Sequence, residues 1–481
     1  MEQNLRFIIN NKDIFVQDNH AKTLLDFIRN EVGLKGTKEG CREGDCGACT
    51  VLLGELINNK LEYKSVNSCL LPIGKVAGKH VVTIEGLNNP NNTLTPIQEQ
   101  FNNEGATQCG FCTPGFVNSL TGYVIENNDL EFHKAENAIA GNICRCTGYA
   151  SIKRTTKNVI EIINKLNISG DERIKSLVDN NIIPKYFLDI ENRLIKFTKN
   201  ASAINPSKII VSGGTDLFVQ KAESLLSNEI SFSNYGNLNE INIIGNNIHI
   251  GAGVTIEELK NSELISNQFP TLSEQLNLFA SLPIRNSATV AGNIVNASPI
   301  GDSTAIFLAL NSYLLLNSFN NKRTLQLSQF YKGYKNLDLL KDEYVEEIIF
   351  HIPNIKTKFN FEKVSKRTYL DIASVNSAIK IEIDEGLINS IFISAGGVSP
   401  IPLLLKRTSE FFTGKMLTTE LVLKSLNIAQ SEISPISDIR GSEEYKRLLL
   451  NQLLKAHFIK LFTDYIDIEA LLWKILMQLV I

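Results

Sequence analysis

The sequence predicts a multidomain α+β protein, and three observations lead to that prediction. The chain has 481 residues, enough for about three domains of ~150 residues each. Its composition, with 43% hydrophobic and 21% charged residues, is that of a globular chain and excludes a disordered or fibrous one. The local pattern also changes along the chain, from strand-rich to helical and then to alternating strands and helices. Each of these segments should therefore fold around its own core.

Charge and hydropathy exclude two classes of partner. With 48 basic and 51 acidic side chains the net charge is -3, which gives no field to hold nucleic acid or an anionic membrane. The start, MEQNLRFIINNKD, has no secretory signal pattern. The apolar stretch 471–481 is interrupted by Lys474 and Gln478 and is shorter than the ~20 apolar residues of a membrane span. We expect a cytoplasmic protein whose last stretch is a packed or partner-facing helix end.

The positions of the cysteines are the main evidence for function. All eight lie within the first 146 residues, whereas cysteines used only for core packing would scatter along the chain. Disulfides would not persist in the reducing cytosol that the missing signal predicts. Metal ligation is the better interpretation.

The first four cysteines have the spacing of a 2Fe-2S site. Cys41, Cys46 and Cys49 form C-x4-C-x2-C, and Cys69 follows twenty positions later, which is the plant-type pattern. Glycines between the ligands allow a tight loop whose N–H groups point at sulfur. A four-cysteine zinc site is the alternative, but zinc sites generally pair C-x2-4-C knuckles. We predict an iron–sulfur cluster.

The second group combines a C-x2-C with a C-x-C motif. Its members are Cys109, Cys112, Cys144 and Cys146. Two ligands separated by one residue reach one metal only from a turn or helix end, and Gly141 and Gly148 bracket such an end. Taken alone this group also fits zinc. Beside a plant-type cluster, a second 2Fe-2S centre is preferred.

The first segment reads as a small β-rich fold with one helix. Residues 5–9 and 14–16 form a predicted hairpin, and apolar residues within 24–32 have helical spacing. Residues 51–53 and 81–84 supply further strands. The first cysteine loop should therefore be carried on a sheet with one packed helix.

The next segment is helical. Residues 95–98 combine an N-cap, a proline at the first helical position and a capping-box glutamine, and 113–114 repeats the cap and the proline. Residues 134–140 and 152–166 also have helical composition or spacing. The second cysteine group thus sits among about four helices. Residues 169–181 are polar without strong periodicity, and we interpret them as a linker.

After the linker, strands and helices alternate. Residues 208–211 are predicted to form a buried strand that runs into a loop at 212–216, followed by a helix at 217–226. Successive N–H groups at such a helix start bind phosphate without a lysine and without a Rossmann G-x-G-x-x-G motif. A purely structural strand–turn–helix is the alternative.

A second polar loop is predicted at residues 289–302. It is dense in small, hydroxyl and amide residues between two apolar stretches, as expected where backbone closes around a diphosphate and a ribose. Phe279 just before it could wall off a flat ring, with core packing as the alternative.

Beyond Pro353 the chain reads as a smaller α/β unit. Its predicted elements are strands at 379–383 and 388–393 and helices at 417–429 and 443–462. Lys363, Lys366 and Arg367 form a basic cluster that is either solvated or in contact with a phosphate or flavin.

These motifs resemble those of the iron–sulfur and flavin subunits of bacterial xanthine dehydrogenases, within the molybdenum hydroxylase family. In chain order they are CREGDCGACTV, QCGFCTPGF with GNICRCTGY, GGTDL with TVAGNIVNASPIGD, and KVSKRTYLDIASVN with SAGGVSPIP and DIRGSEEYKR. The resemblance covers nearly the whole chain. It implies a β-grasp 2Fe-2S ferredoxin-like domain (1–88), a helical 2Fe-2S-binding domain (89–168), the linker (169–181), an α/β FAD-binding domain of the PCMH type (182–355) and an α/β CO dehydrogenase flavoprotein-like C-terminal domain (356–465).

The resemblance also implies site residues. Each cysteine group would hold one 2Fe-2S cluster, the second lying nearer the molybdenum, and Gln108 would touch the pterin of the molybdenum cofactor. The residues implied to contact FAD are Ile210, Val211, Ser212, Gly213, Gly214, Thr215, Phe279, Thr289, Gly292, Asn293, Asn296, Asp302, Ile349 and a lysine, either Lys363 or Lys366.

By the same resemblance, the chain is an electron-transfer subunit with no catalytic residue for hydroxylation. A molybdopterin-binding large subunit, in an assembly such as α2β2, would oxidise hypoxanthine or xanthine to urate in purine catabolism, and electrons would pass through both clusters to FAD and then to NAD. Oxygen as final acceptor stays open. One alternative is the equivalent subunit of an aldehyde or N-heterocycle hydroxylase. A zinc-stabilised binding module is the other.

Overall fold

A computed structural model describes residues 5–17, 19–91, 93–166, 168, 170, 172–197, 204–232, 237–318 and 321–471. The chain divides into two compact units. Unit 1 comprises residues 1–235 and 280–288, and unit 2 comprises 236–279 and 289–481. Most of the predicted tail at 471–481 lies outside the described residues, except Leu471, which is buried.

The strands are β1 (Leu5–Ile9), β2 (Lys12–Val16), β3 (Thr50–Ile57), β4 (Lys60–Asn67), β5 (His80–Val82), β6 (Ile209–Val211), β7 (Ile230–Phe232), β8 (Ile241–Ile244), β9 (Asn247–Gly251), β10 (Tyr313–Asn317), β11 (Lys322–Gln326), β12 (Tyr331–Gly333), β13 (Asn336–Leu337), β14 (Tyr344–His351), β15 (Thr357–Val364), β16 (Val375–Asp384), β17 (Leu387–Gly396) and β18 (Leu403–Leu404).

The α-helices are α1 (Leu24–Asp26), α2 (Pro96–Asn103), α3 (Thr113–Glu126), α4 (Phe132–Ile139), α5 (Ala150–Lys165), α6 (Arg173–Asp179), α7 (Phe187–Ile195), α8 (Thr215–Gln220), α9 (Ala222–Leu226), α10 (Ile256–Asn261), α11 (Glu263–Gln268), α12 (Leu272–Leu276), α13 (Leu282–Arg285), α14 (Val290–Asn296), α15 (Asp302–Ala309), α16 (Leu327–Phe330), α17 (Lys406–Phe412), α18 (Thr419–Glu432) and α19 (Glu443–Leu461).

Unit 1 begins with a five-stranded sheet in the order β2-β1-β5-β3-β4. The predicted hairpin of β1 and β2 is confirmed, and β1 also pairs in parallel with β5. The predicted helix at 24–32 consists of α1 and a π-helical stretch, Phe27–Glu31, whose apolar residues pack on the sheet. The strand predicted at 81–84 ends earlier, because Ile84 starts a 3-10 turn.

Helices α2 to α7 share the next core of unit 1. The predicted capping box of α2 is present, with Thr95 and Gln98 each bonding the other's backbone. The predicted cap at Thr113 is wrong. Thr113 is the first residue of α3, and its hydroxyl bonds that of Thr107 instead.

The stretch predicted as a linker, 169–181, contains helix α6. Arg173 is buried there and donates hydrogen bonds to the carbonyls of Val124, Ile125 and Ile168. A cation that satisfies carbonyls near the end of α3 ties this segment to the helical core. The polar composition of the segment predicted a linker. The contacts of Arg173 with Val124 and Ile125 join residues that are far apart in the chain, so no local sequence pattern indicated them.

The glycine loop of unit 1 lies between β6 and α8. Strand β6 pairs in parallel with β7 in a two-stranded sheet. The prediction that this strand is buried is wrong for its start, since Ile209 is 37% exposed while Val211 is fully buried. The single helix predicted at 217–226 is two short helices, α8 and α9, separated at Lys221.

Unit 2 contains a five-stranded sheet, β11-β10-β14-β9-β8, and a four-stranded sheet, β15-β16-β17-β18. Helices α17 to α19 bury their apolar residues with the second sheet, which confirms the predicted strands and helices of this part. The polar loop predicted at 289–302 is wrong in its first half. Thr289 caps helix α14 by accepting from the N–H of Gly292, so these small residues are helical.

Within the part of the chain that the structure describes, no helix combines the length and apolar character needed to cross a bilayer.

Candidate metal centres and flavin site

The first cysteine group lies in unit 1 beside the five-stranded sheet. Cys41, Cys46 and Cys49 lie on the loop before β3, and Cys69 follows the end of β4. Because β3 and β4 are antiparallel neighbours, Cys49 and Cys69 meet, with their Sγ atoms 3.4 Å apart. The thiols of Cys41 and Cys46 form a second pair, whose interaction lowers the pKa of Cys41 and raises that of Cys46. The sheet thus assembles two thiol pairs in one loop region.

The second group also forms two pairs. Cys109 and Cys112 precede α3, and Cys144 and Cys146 precede α5. The Sγ atoms of Cys109 and Cys146 are 3.5 Å apart, and the thiol of Cys112 interacts with that of Cys144, which raises the pKa of Cys112 and lowers that of Cys144. Tyr149, in the left-handed conformation at φ 67°, ends the C-x-C turn, and its hydroxyl oxygen accepts a hydrogen bond from the N–H of Cys144.

The separations within these pairs fit two thiolates that bind the same metal ion. Two thiolates on one tetrahedral metal with bonds of about 2.3 Å lie about 3.8 Å apart, close to the observed separations. Each iron of a four-cysteine 2Fe-2S cluster takes two of the thiolates. All eight cysteines are free thiols in the described chain.

Within each pair the two thiols differ in acidity. The hydrogen bond from Cys46, together with backbone N–H groups, lowers the pKa of Cys41 to about 5, and the same contact raises that of Cys46. Burial raises the pKa of Cys112 to about 12.

Two polar side chains that the sequence analysis did not single out contact the cysteine sulfurs. Asn67 Nδ2 lies 3.7 Å from Cys49 Sγ. Thr147 donates its hydroxyl to Cys144 Sγ over 3.2 Å. Hydrogen bonds to sulfur stabilise the reduced, more negative form of a cluster. The C-R-C-T sequence itself could have indicated Thr147, whereas Asn67 is brought to Cys49 only by strand pairing.

The two groups differ in exposure. Cys49 and Cys69 are buried, whereas Cys109 and Cys146 are exposed. The exposed large apolar side chains near the second group are Phe111, at 44%, and Tyr149, at 38%. The predicted pterin contact, Gln108, is also exposed. The second group therefore opens to the surface of unit 1.

The residues predicted to contact FAD lie in both units. In unit 1, Gly214 has φ 77° and directly precedes helix α8. A Cβ on Gly213 would lie 2.3 Å from the carbonyl oxygen of Ser287, so only glycine fits there. This backbone provides N–H groups at a helix start, the donors a diphosphate requires, and Ile210, Val211, Ser212 and Thr215 flank them.

In unit 2, the predicted flavin residues gather around α14 and the start of α15. Asn293 Oδ1 accepts from the hydroxyls of Ser303 and Thr304, and Asn296 accepts from Lys335. Asp302 is buried at the first residue of α15. This concentration of hydroxyl, amide and carboxylate groups fits a ribose or ribityl chain.

Of the two predicted lysines, Lys363 meets the other flavin residues. Its side chain is 2% exposed, and its Nζ lies 2.7 Å from Asp302 Oδ2 and 2.6 Å from the carbonyl oxygen of Leu278. Lys366 is exposed. Phe279, next to Leu278, is 8% exposed. Ile349 lies on β14 between two fully buried neighbours, and its own side chain is half-buried.

Asn376 is a buried residue of this region that the sequence analysis missed. Its Nδ2 donates to Asp302 Oδ1 over 2.6 Å and to the carbonyl of Ile300 over 3.1 Å. The motif KVSKRTYLDIASVN ends at this residue, so its position was visible in the sequence but its contact was not.

Four family models match the chain. A 2Fe-2S iron-sulfur cluster binding domain matches residues 7–73, and a second [2Fe-2S] binding domain matches 83–157. The FAD binding domain in molybdopterin dehydrogenase matches 192–354, and the CO dehydrogenase flavoprotein C-terminal domain matches 361–461. Two 2Fe-2S domains and an FAD-binding domain are thereby shown.

Curated relatives are longer than this chain. The xanthine dehydrogenase of Emericella nidulans is 28% identical over 88% of this chain and 36% of its own length. Aldehyde oxidase 1 of Macaca fascicularis is 26% identical over 98% of this chain and 40% of its own length. The chain thus spans little more than a third of these proteins.

About half of the chain is similar in fold to a solved structure. A carbon monoxide dehydrogenase from Hydrogenophaga pseudoflava, lacking the Mo-pyranopterin moiety of the molybdenum cofactor, aligns with 52% of this chain and 88% of its own. The identity is 25% and the TM-score 0.50.

Proposed function

Because the chain has the domain architecture of the iron–sulfur and flavin subunit of the molybdenum hydroxylase family, we propose that it is the electron-transfer subunit of a xanthine dehydrogenase. The observation that supports this proposal most is the arrangement of eight cysteines as four thiol pairs in two separate groups.

When bound, two 2Fe-2S clusters would carry single electrons, and FAD would collect two and deliver them to NAD as a hydride. The residues of this chain provide position and environment. Cys41, Cys46, Cys49 and Cys69 would hold one cluster, and Cys109, Cys112, Cys144 and Cys146 the other. The loop before α8 and the segment from Thr289 to Asp302 would bind FAD.

Exposure supports an entry point for electrons at the second cysteine group. Cys109 and Cys146 are exposed, with Phe111 and Tyr149 as apolar neighbours, and such residues suit a protein interface. We infer that a molybdopterin-binding subunit docks there, with Gln108 facing its pterin, in an assembly such as α2β2.

The purine substrate is supported by the names of the relatives, several of which are xanthine dehydrogenases. An aldehyde-oxidising complex is the second candidate, supported by the similarity to aldehyde oxidase 1. The residues that select substrate would lie in the partner, so the two candidates share every feature of this chain.

Expression of the chain with its candidate large subunit tests the proposal. We expect a brown complex with about four irons and one flavin per chain, which reduces NAD on addition of xanthine or hypoxanthine. Turnover of aldehydes alone would reject the purine assignment. A colourless protein with stoichiometric zinc would reject the electron-transfer function altogether.

A further inference from the structure

The two cysteine groups are joined by a direct backbone contact within unit 1. The N–H of Ile143 donates to the carbonyl oxygen of Cys46 over 2.9 Å. Ile143 immediately precedes Cys144 of the second group, and Cys46 belongs to the first. This hydrogen bond thus joins Cys46, a candidate ligand of the first centre, to Ile143, the residue before a candidate ligand of the second centre.

The side chain of Asn142 holds this contact from one side. Its Nδ2 donates to the carbonyl oxygen of Gly47 over 3.0 Å, and its Oδ1 accepts from the hydroxyl of Ser119 over 2.8 Å. Asn142 is 3% exposed and Ser119 is 1% exposed. The amide is therefore fixed between helix α3 and the first cysteine loop, and water does not compete for either bond.

The backbone around Asn142 is packed without spare room. Gly47 has φ 67°, and a Cβ there would lie 2.4 Å from Asn142 Nδ2 and 2.5 Å from the carbonyl oxygen of Gly141. A Cβ on Gly115 would lie 2.3 Å from the carbonyl oxygen of Gly47. Both glycines are thus required for the two loops to approach this closely.

A second asparagine, Asn118, also bonds the chain where the first cysteine loop enters β3. Asn118 Nδ2 donates to the carbonyl oxygen of Thr50 over 2.7 Å. Thr50 in turn donates its hydroxyl to the carbonyl oxygen of Gly47 over 2.7 Å. The segment between Cys46 and Thr50 is therefore hydrogen-bonded to the helical part at several positions, and Asn142 makes one of these bonds.

We propose that Asn142 is a positioning residue that fixes the separation and orientation of the two iron–sulfur centres. The inference rests on the proposed function, because it requires both centres to be loaded. It follows from the contacts because the Asn142 amide touches the first loop directly and lies two residues from Cys144 of the second. A supporting side chain that holds such groups to within a fraction of an ångström affects function without touching the reacting atoms.

The test is the magnetic interaction between the two reduced clusters, measured by electron paramagnetic resonance on the holoprotein. Asn142→Ala should bind the wild-type amount of iron and keep the signal of each cluster. The splitting and relaxation effects that depend on their separation should change, and electron transfer between them, followed by flash reduction, should slow at least several-fold. A merely structural residue would lower the melting temperature and leave the interaction as it is.

Asn164→Ala is a control for the loss of a bond from an asparagine amide to a backbone carbonyl. Asn164 is exposed, and its Nδ2 donates to the carbonyl of Leu130 over 2.9 Å; among the described residues its side chain has no hydrogen bond to either cysteine loop. This variant should keep the wild-type magnetic interaction and transfer rate. Should Asn142→Ala fail to fold, Ser119→Ala removes the bond that orients Asn142, and it should change the interaction in the same direction by a smaller amount.

The outcomes separate the inference from the function on which it rests. If the wild-type chain contains no clusters, the proposed function fails. If the wild type contains both clusters and Asn142→Ala, or Ser119→Ala in its place, retains the wild-type interaction and rate, the positioning role is wrong while the function stands.

Discussion

Asn376 and Lys363 are cross-strand neighbours, and together they hold both carboxylate oxygens of Asp302. They face each other in the register of β15 and β16. Asn376 lies 2.6 Å from Oδ1 and Lys363 lies 2.7 Å from Oδ2. Asn376 also bonds the carbonyl of Ile300, in the turn before Asp302. One buried amide therefore fixes both the predicted flavin carboxylate and the turn that leads to it.

We expect Asn376→Ala to weaken FAD binding about ten-fold or more. A hydrogen bond to a charged group contributes about 1.5–3 kcal/mol, and its loss leaves Asp302 held on one side only. Flavin fluorescence on titration of the deflavinated protein with FAD measures the dissociation constant.

Asn360→Ala is the control for that prediction. Asn360 is also buried and lies on β15, but it donates to Glu362 and lies 2.8 Å from the ring of His457. Its loss should lower stability without changing FAD affinity. An equal loss of affinity in both variants would mean that Asn376 acts only through general stability.

The hydrogen bond from Asn67 to Cys49 predicts a change in reduction potential. Asn67→Leu keeps the number and branching of the side-chain heavy atoms and removes the bond to Cys49, and Oδ1 of Asn67 has no partner among the described residues. A bond worth about 1 kcal/mol more to the reduced form corresponds to roughly 40 mV for one electron. We expect the midpoint potential of the first cluster to fall by about that amount in a redox titration followed by electron paramagnetic resonance.

Thr147→Val is the matched variant for the second cluster. It removes the hydroxyl that lies 3.2 Å from Cys144 Sγ. In Thr147→Val, the midpoint potential of the second cluster should fall while that of the first cluster stays unchanged. In Asn67→Leu, the potential of the first cluster should fall while that of the second stays unchanged. A shift of both potentials in either variant would contradict the assignment of these bonds to separate centres.

How much of this the sequence could predict depends on whether an interaction is local. The spacing of Cys41, Cys46 and Cys49 is set by one loop, so their grouping could be predicted. The contact of Asn142 with Gly47 joins residues 95 positions apart, and a hydrogen bond across that distance leaves no periodic signal. For the same reason the burial of Arg173 on α3 was missed, and its segment was interpreted as a linker.

His80 predicts how the stability of unit 1 depends on pH. It is fully buried, and burial lowers its pKa to about 3. Its Nδ1 lies 2.7 Å from the hydroxyl of Tyr63 and its Nε2 lies 2.8 Å from the carbonyl oxygen of Asn10, so the neutral ring is bonded at both nitrogens. The unfolded chain takes up a proton near pH 6.5, whereas the folded ring does not. The contribution of His80 to the free energy of unfolding is therefore complete above pH 6.5. It is lost as the pH falls toward 3, by up to about 1.4 kcal/mol per pH unit.

Hydrogen exchange of the Ile8 amide, which bonds the carbonyl of Lys79 beside His80, measures this effect. Protection should fall between pH 6.5 and 5 after correction for intrinsic exchange. His80→Gln should show a weaker dependence on pH, and His133→Gln, at an exposed site, should behave as the wild type does. A slope unchanged in His80→Gln would show that other groups control this pH range.

The difference in exposure between the cysteine groups predicts the order in which iron is lost. Cys109 and Cys146 are exposed while Cys49 and Cys69 are buried, and attack on a metal–thiolate bond requires access. In the isolated holoprotein, a chelator should therefore remove about half of the iron in a phase at least several-fold faster than the rest. Cys112→Ser should lack the fast phase and Cys69→Ser the slow one, which assigns each phase to a group. Because docking of a partner on the second group would cover it, the fast phase should also slow in the assembled complex. A single phase for all of the iron, or a fast phase that persists in Cys112→Ser, would show that exposure of the thiols does not control access to the clusters.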